Sequence, residues 1–517
     1  MVVTAANTTI VDLVAGTECG QRELHAHLVG VERDLAGLRR VAAVRSKVVI
    51  ALAQSECDSE AVQGRVSFDM EEILRSRIVG DAPDSESGEC RVLLQLGDLV
   101  LAAASQKRVI GSGSGDVAEV TREEQHATRG RANSLRLAIT GQLGPDAFTS
   151  PAMKETLDLC VSCKGCRREC PTGVDMAKMK VEFLHHYHAR HGLPLKERLI
   201  AHLPRYAPAA VWLAPLLNLR DRIPALARAT ERHLGLSARR TLPRWRRPWR
   251  EAGPAARLSD VVGDGRDLVL FGDTFNRYYE RENLDAAARV FAAAGYRLHR
   301  VRPGDGGRPL CCGRTYLSAG LVDHARREAR RTLDALRPFV ERGARVVGLE
   351  PSCLFTFRDE FASLLPEGEV APLARAAHLF EEVLAADLAA GRVVLPLADQ
   401  GGRVAHLHGH CHQKAFDAMG AVEAVLQAVP GLRVRAIESS CCGMAGAFGY
   451  GAETLDVSLA MAELALLPAV RGAGADDVVV ADGTSCRHQI HDGAGRTALH
   501  VARVLDGALR PRPGAPP

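Results

Sequence analysis

Cys311-Cys312-Gly313 recurs as Cys441-Cys442-Gly443, and this repetition constrains the fold of the whole C-terminal half. The next landmark in each copy is a proline, Pro338 and Pro468, each 26 residues after the second cysteine of its pair. Each proline is followed by an apolar stretch and a Ser-Cys step, Ser352-Cys353 and Ser485-Cys486. Equal offsets over such a distance point to a tandem repeat. Strands are predicted at Leu268–Phe271, Tyr296–Val301, Val346–Leu349, Val404–His408, Val434–Ile437 and Val478–Ala481. Helical stretches such as Leu321–Leu336 and Leu455–Leu467 alternate with them. Alternation of this kind predicts an α/β half with parallel sheets.

In parallel α/β units the carboxyl ends of the strands open into one crevice, where ligands collect. Cys411 follows Val404–His408 and is expected to join Cys441, Cys442 and Cys486 as a four-thiolate metal site. The metal stays open at this level between zinc and iron–sulfur, and redox-active thiols at Cys441 and Cys442 are a further reading. Aligning Leu270-Phe271-Gly272-Asp273-Thr274 with Leu407-His408-Gly409-His410-Cys411 puts threonine where the second copy has cysteine. Cys311, Cys312 and Cys353 then form a weaker set, and the first copy is expected to be mainly structural. His406, His408, His410 and His412 recur with period two, so at most two of them face the cysteines if the strand continues. Ordinary strand residues are an equally good reading of this series.

Upstream lies Cys160-Val-Ser-Cys163-Lys-Gly-Cys166-Arg-Arg-Glu-Cys170-Pro171. The C-x2-C-x2-C-x3-C-P run is the ligand spacing of a bacterial-type [4Fe–4S] cluster, with structural zinc as the alternative. Lys164, Arg167 and Arg168 beside the thiolates either offset cluster charge or serve solubility. Helices are expected on both sides, from Thr128 through Leu135, Leu137 and Ile139, and from Asp175 to His191. The second carries His185, His186, His188 and His191, read as a solvated helix end in preference to a metal site.

Fourteen cysteines in a 517-residue chain with 46% hydrophobic and 25% charged residues suit metal ligation in a reducing compartment. A net charge of +4 gives no reason to expect nucleic acid. Nothing at the N-terminus reads as a secretory signal, and no apolar run is long enough for a membrane span, so a cytoplasmic location is expected. Leu24–Val48 has helical spacing, Gly80–Gly88 reads as an acidic loop and Gly111–Gly115 as a linker. Cys19, Cys57 and Cys90 are isolated thiols. Trp245-Arg-Arg-Pro-Trp249-Arg suits a partner surface or a peripheral contact with the inner face of a membrane, and is read in preference as a connector packing its tryptophans on the core with solvated arginines. Tyr206–Leu217 is apolar, interrupted by Pro208 and Pro215 and too short to span a bilayer. The expected organisation is an undefined region over 1–118, a helical ferredoxin-type domain over 119–192 and a Pro/Arg-rich connector over 193–262. Cysteine-rich repeats follow over 263–395 and 396–507, and a disordered tail over 508–517.

The Cys-Cys-Gly repeat resembles the cysteine-rich domain of heterodisulfide reductase and of the iron–sulfur subunits of glycolate oxidase and anaerobic glycerol-3-phosphate dehydrogenase. Thr121-Arg-Glu-Glu, Thr128-Arg-Gly-Arg-Ala132, Leu157-Asp-Leu-Cys160, Val174-Asp175-Met176-Ala177, Glu350-Pro-Ser-Cys353, Cys441-Cys-Gly-Met-Ala-Gly446 and Ala481-Asp-Gly-Thr-Ser-Cys486-Arg-His-Gln489 are similar to the C-terminal half of bacterial FAD-linked D-2-hydroxyacid dehydrogenases. The similarity covers about residues 119–505. It implies an oxidoreductase component with a [4Fe–4S] cluster, fed by an FAD-binding partner and passing electrons to a quinone or another acceptor. Two departures stand out. Only about 118 residues precede the similar part, without resemblance to the family's FAD domain, so the FAD is expected on a partner chain. The family's additional upstream cysteine motif is missing, with Gly115 at its end and only Cys90 similar to its start. One cluster is therefore expected, completed by Cys170 if that residue folds back to Cys160, Cys163 and Cys166. The alternatives are thiol–disulfide reduction at Cys441/Cys442, a zinc-bearing interaction module, and the remnant of a longer enzyme.

Overall fold

The computed structural model describes residues 116–171, 173–250 and 257–510, together with the backbone of four strands between Val2 and Asp69. The expectations for Gly80–Gly88, Gly111–Gly115, Cys19, Cys57, Cys90 and the tail beyond Arg510 lie outside the described residues. So does the helical reading of Leu24–Val48, except that Lys47 and Val48 begin a strand.

The chain divides into two compact units. The first holds β1 (Val2–Ala5), β2 (Thr8–Val14), β3 (Lys47–Ala53) and β4 (Arg65–Asp69) in the order β1-β2-β3-β4. β2 and β3 run parallel, with Ile10 opposite Val49, and the outer pairs are antiparallel. The unit also includes the helix Thr128–Ile139, at the bounds its apolar spacing predicts, and the segment containing the half-buried Cys170.

The second unit contains the other motif cysteines. Its helices include α1 (Gly165–Glu169), α2 (Met176–His191), α3 (Leu203–Ala210), α4 (Ala214–Leu217) and α5 (Pro224–Leu234). Asp175 caps α2 by accepting from the Ala177 and Lys178 amides, and Gly192 follows its end at φ 81°. Two four-stranded parallel sheets follow. The first is ordered β6-β5-β7-β8, from β5 (Asp267–Leu270), β6 (Arg297–His299), β7 (Arg345–Gly348) and β8 (Ala377–Leu379). The second is ordered β10-β9-β11-β12, from β9 (Val404–His408), β10 (Arg433–Ala436), β11 (Val478–Ala481) and β12 (Ala498–Leu499). The strand order is thus the same in both. β9 and β11 fall at their predicted bounds; both are covered on both faces, β11 apolar throughout and β9 carrying His406 and His408 on one face. β8 and β12, three and two residues long, carry too little pattern to be read.

Apolar helix faces fill the space between the sheets. Arg281–Ala293 of the first packs on Val501–Ala508 of the second, and Phe380–Ala389 packs reciprocally on Met419–Gln427. One core results, running from Leu268, Val347 and Phe380 to Leu407, Val425, Val480 and Leu505. The predicted helix Leu455–Leu467 is instead two helices, Leu455–Glu463 and Leu466–Arg471, because the chain leaves helical geometry at Ala465. Trp249 is buried, its Nε1 donating to Asp285 at 2.9 Å, and Trp245 leans on Tyr279 at 4.8 Å between ring centroids. The connector therefore packs these two tryptophans on the core. Among the described residues no helix is long and apolar enough to cross a membrane.

Candidate metal centre

The second sheet delivers donors from three strand ends. β9 ends on His408, and Cys411 opens α9 (Cys411–Ala415). β11 leads through Asp482 into α10 (Thr484–Ala494), which carries Cys486 in its first turn. Cys441 and Cys442 follow β10, and Gly443 turns the chain at φ 78°, where an added Cβ would collide with the Ser458 carbonyl. The Gly443 amide donates to Cys441 Sγ at 3.4 Å.

All four cysteines are connected. Cys441 is hydrogen-bonded to Cys411 and Cys442, and Cys442 to Cys486. A ring nitrogen of His408 and the sulfurs of Cys442 and Cys486 lie within 4.8 Å of one another. Ser439 Oγ engages His408 Nδ1 at 2.8 Å, which leaves Nε2 buried and otherwise without a hydrogen-bond partner. A second partner holding one ring nitrogen so that the other faces a metal is the usual arrangement of a ligating histidine. Cys442 is held well below the usual thiol range by hydrogen bonds from Cys441 and Cys486 and by His408. The Cys411 thiol is lowered to about 6, chiefly by the hydrogen bond from Cys441, with His410 and Lys414 assisting. Mutually bonded, largely buried thiols with an imidazole nitrogen turned toward them fit a thiophilic metal or an iron–sulfur group.

The other histidines of the series do other work. His406 pairs with Asp477 at 2.9 Å, and His410 caps α9 by accepting from the His412 amide. His412 Nε2 donates to the Ser162 carbonyl at 3.1 Å. The strict period-two reading fails after His408 because the strand ends there.

The first sheet builds the matching place differently. Here α6 is Thr274–Tyr278, α7 is Val322–Glu341 and α8, which carries Cys353, is Pro351–Arg358. This numbering places them before α9 and α10 in the chain. Thr274 Oγ1 stands 3.9 Å from Cys311 Sγ, and Phe271, packed edge-on against Phe357, occupies the position of His408. Burial and the hydrogen bond to Cys312 push the Cys311 thiol up. Despite a hydrogen bond from Cys311, Cys312 is pushed up by bonding to Cys353 and by burial. Cys353, although bonded to Cys312, is pushed up to about 12 by burial beside Asp273 and Glu350.

The Cys160–Cys166 loop sits against the second site. Cys160, Cys163 and Cys166 are all buried, and Ser162 and Lys164 adopt left-handed φ of 53° and 60°, uncommon for residues with a Cβ. The Met176 amide donates to Cys166 Sγ at 3.4 Å, and the Gly165 amide also points at a sulfur, that of Cys163. Lys180 Nζ holds the Cys160 carbonyl at 2.7 Å. Burial raises the Cys163 thiol, and the nearby sulfurs of Cys411 and Cys166 raise it further. Burial also raises Cys166, to about 12. Amide donors turned toward crowded, buried sulfurs fit a cluster held by thiolates. Cys170 belongs to the other compact unit.

Lys164 answers neither expectation for it. Its ammonium is buried and paired with Asp175 and Asp359 at 2.7 Å and Glu360 at 3.1 Å, which fastens the loop to the end of α8. Arg167 reaches Asp359 at 3.3 Å and lies over the Phe416 ring, whereas Arg168 is exposed. On α2, His188 is not solvated. It is buried between the Ala319 carbonyl at 3.0 Å and Glu197 at 2.9 Å, and His185 meets the Gly320 carbonyl at 3.2 Å.

A cavity of about 1060 Å³ opens onto Cys160, Cys411, Cys441 and Cys442, with Leu203 and Tyr206 on its apolar side. The second sheet, its crevice and its cysteines coincide with a known family. Residues 405–491 match the cysteine-rich CCG domain. The chain is also similar to dehydrogenases and to a dehydrogenase component. It is 26% identical to D-2-hydroxyglutarate dehydrogenase of Escherichia coli (strain K12) over 370 residues, 69% of this chain and 34% of that protein. The corresponding Pseudomonas putida protein is 25% identical over 441 residues, 75% of this chain and 41% of the relative. One component of the anaerobic glycerol-3-phosphate dehydrogenase of Escherichia coli (strain K12) is 26% identical over 322 residues, 61% of this chain and 77% of that component. The chain thus spans about a third of the length of the first of these relatives.

Proposed function

We propose that this chain is the iron–sulfur electron-transfer part of a flavin-dependent dehydrogenase acting on a 2-hydroxyacid or glycerol 3-phosphate. Cys160, Cys163 and Cys166 would hold an iron–sulfur cluster of the [4Fe–4S] type. Cys411, Cys441, Cys442 and Cys486, joined by His408, would hold a second metal centre. The single observation that carries this reading is the meeting of the two sets: Cys411 is near enough to Cys163 to raise its pKa, and His412 bonds the Ser162 carbonyl. An iron–sulfur group, when bound, accepts and releases one electron at a time.

The protein's own part is to hold and insulate. Backbone amides at Gly165 and Met176 stabilise thiolate charge, and the Lys164 network fixes the loop without exposing it to water. The FAD would be carried by a partner chain. The acceptor would be a quinone or another small carrier, for which the apolar wall of the cavity at Leu203 and Tyr206 is suitable. The same strand order in the two sheets supports descent of residues 263–395 and 396–507 from one duplicated unit. Thiol–disulfide exchange at Cys441 and Cys442 is a second reading, favoured by their place on the cavity wall.

Anaerobic purification with iron, sulfide and zinc analysis separates the readings. Iron with sulfide, and an EPR signal after reduction, is the expected result. Zinc alone would sink the relay, and metal-free protein that reduces a disulfide without flavin would favour exchange chemistry.

A further inference from the structure

The connector between the cysteine loop and the first sheet exposes its largest apolar side chains. Trp212, in the turn Val211–Leu213 that joins α3 to α4, is 84% exposed, and Leu213 and Leu216 beside it are 56% and 61% exposed. Leu217, Ile223 and Leu226 continue the surface onto α5. The opposite side of α3 is anchored, since Ala207 is buried against Tyr278 and Tyr279. The tip is therefore held out by a packed base. Contiguous apolar surface of this kind is uncommon on a free soluble protein and marks a place of attachment.

Charge identifies what it attaches to. Residues 205–250 contain eleven arginines, no lysine and only two acids, Asp221 and Glu231, in a chain whose net charge is +4. The rest of the chain is thus net negative. Both acids are engaged, Asp221 by Arg220 and Glu231 by the Ala238 amide. Arg222, Arg228 and Arg232 are exposed, and among the described residues no carboxylate pairs with them. Arg222 adjoins Ile223, and Arg228 lies two residues past Leu226. Tryptophan and leucine projecting between unpaired arginines match the boundary of an anionic bilayer, where the indole sits at headgroup depth and the guanidinium groups meet phosphate. Pro208 and Pro215 keep the helices short, so the segment can lie in the interface and cannot cross it.

We infer that residues 203–232 dock this protein onto an anionic lipid surface, with Trp212, Leu213 and Leu216 inserted and Arg222 and Arg228 on headgroup phosphates. The same helix, α3, supplies Leu203 and Tyr206 to the cavity wall. Docking would therefore set the cavity beside the lipid, where an apolar electron acceptor dissolves. That consequence rests on the relay reading, whereas the docking itself does not.

Cosedimentation of the full chain with vesicles tests the docking without reference to any redox activity. Binding is expected to vesicles containing phosphatidylglycerol and not to phosphatidylcholine alone, and to weaken as salt is raised. W212S/L216S should lose affinity by about tenfold or more, because both side chains leave the apolar boundary. R222Q/R228Q, which leaves the apolar tip in place, should lose about tenfold at low salt. The tryptophan emission of the native protein should shift to the blue on the vesicles, and that of W212F should not. No binding to the anionic vesicles, or binding unaltered in W212S/L216S, would overturn the inference. A concentration-dependent dimer that W212S/L216S abolishes, with no vesicle binding, would overturn it too and assign the surface to a second copy of the chain.

Discussion

The two parallel sheets share a strand order and differ in electrostatics. At the end of β9 the second sheet has His408, His410 and Cys411. At the end of β5 the first has Phe271, Asp273 and Thr274. These three exchanges remove one imidazole donor, replace a basic neighbour by an acidic one and delete a thiol. As a result Cys411 and Cys442 are held low while Cys441 and Cys486 are pushed up, whereas Cys311, Cys312 and Cys353 are all pushed up and none is held low. The first sheet contributes in another way. Asp359 and Glu360 hold Lys164 of the cysteine loop, and Glu350 accepts from the Thr484 amide at 2.9 Å at the start of α10. On the proposed reading one fold is used once for ligands and once for support, and the side chains at a single strand end decide which.

Removing one thiol from each sheet should expose this difference most strongly. C442S should lose all metal of the second site, whereas C312S should leave the metal content of the protein unchanged, as read by elemental analysis. Lys164→Met tests the supporting role. Removing the cation from a buried network of three carboxylates should cost about 3–5 kcal/mol of stability, seen in denaturant melts, with the second site's metal retained.

A smaller effect is expected at Asp273. Burial, with the Glu350 carboxylate beside it, raises its carboxyl to about 6. A carboxyl raised above its unfolded value near 3.8 is more easily ionised in the unfolded chain. Its cost to the folded state is absent below pH 3.8, grows as the pH rises and is complete above pH 6. Asp273→Asn should therefore gain stability relative to the native protein as pH rises from 4 to 7, by up to about 3 kcal/mol. An equal difference at both pH values would contradict the assignment. His408→Ala should weaken the second site by about 10–100-fold in metal affinity, measured by chelator competition, without releasing the metal outright.

How much of this could be read beforehand followed the range of the interactions. β11 was legible because a strand covered on both faces is apolar throughout, and β9 because its alternating apolar and histidine residues have the period of a strand. The cysteine positions were legible because a metal imposes its spacing on nearby residues. His408 was not separable from His406, His410 and His412, since only the end of the strand and the approach of Cys442 and Cys486 distinguish it. Lys164 read as a solvent-facing cation because its three carboxylates come from elsewhere, two of them nearly two hundred residues away. The mixture of tryptophan and arginine drew attention to Trp245 and Trp249. Packing on Tyr279 and a hydrogen bond to Asp285 place those two inward, and Trp212 is the tryptophan left outside.

On the proposed reading, the second sheet and the Cys160 loop together hold redox metal, while the first sheet does not. EPR of the anaerobically reduced protein, with iron counted in parallel, decides this on native protein, C163S, C442S and C312S. The expected result is a cluster signal in the native protein, loss of separate parts of the signal and of the iron in C163S and C442S, and a C312S spectrum like the native one. Iron that departs with C312S and stays with C442S would contradict it.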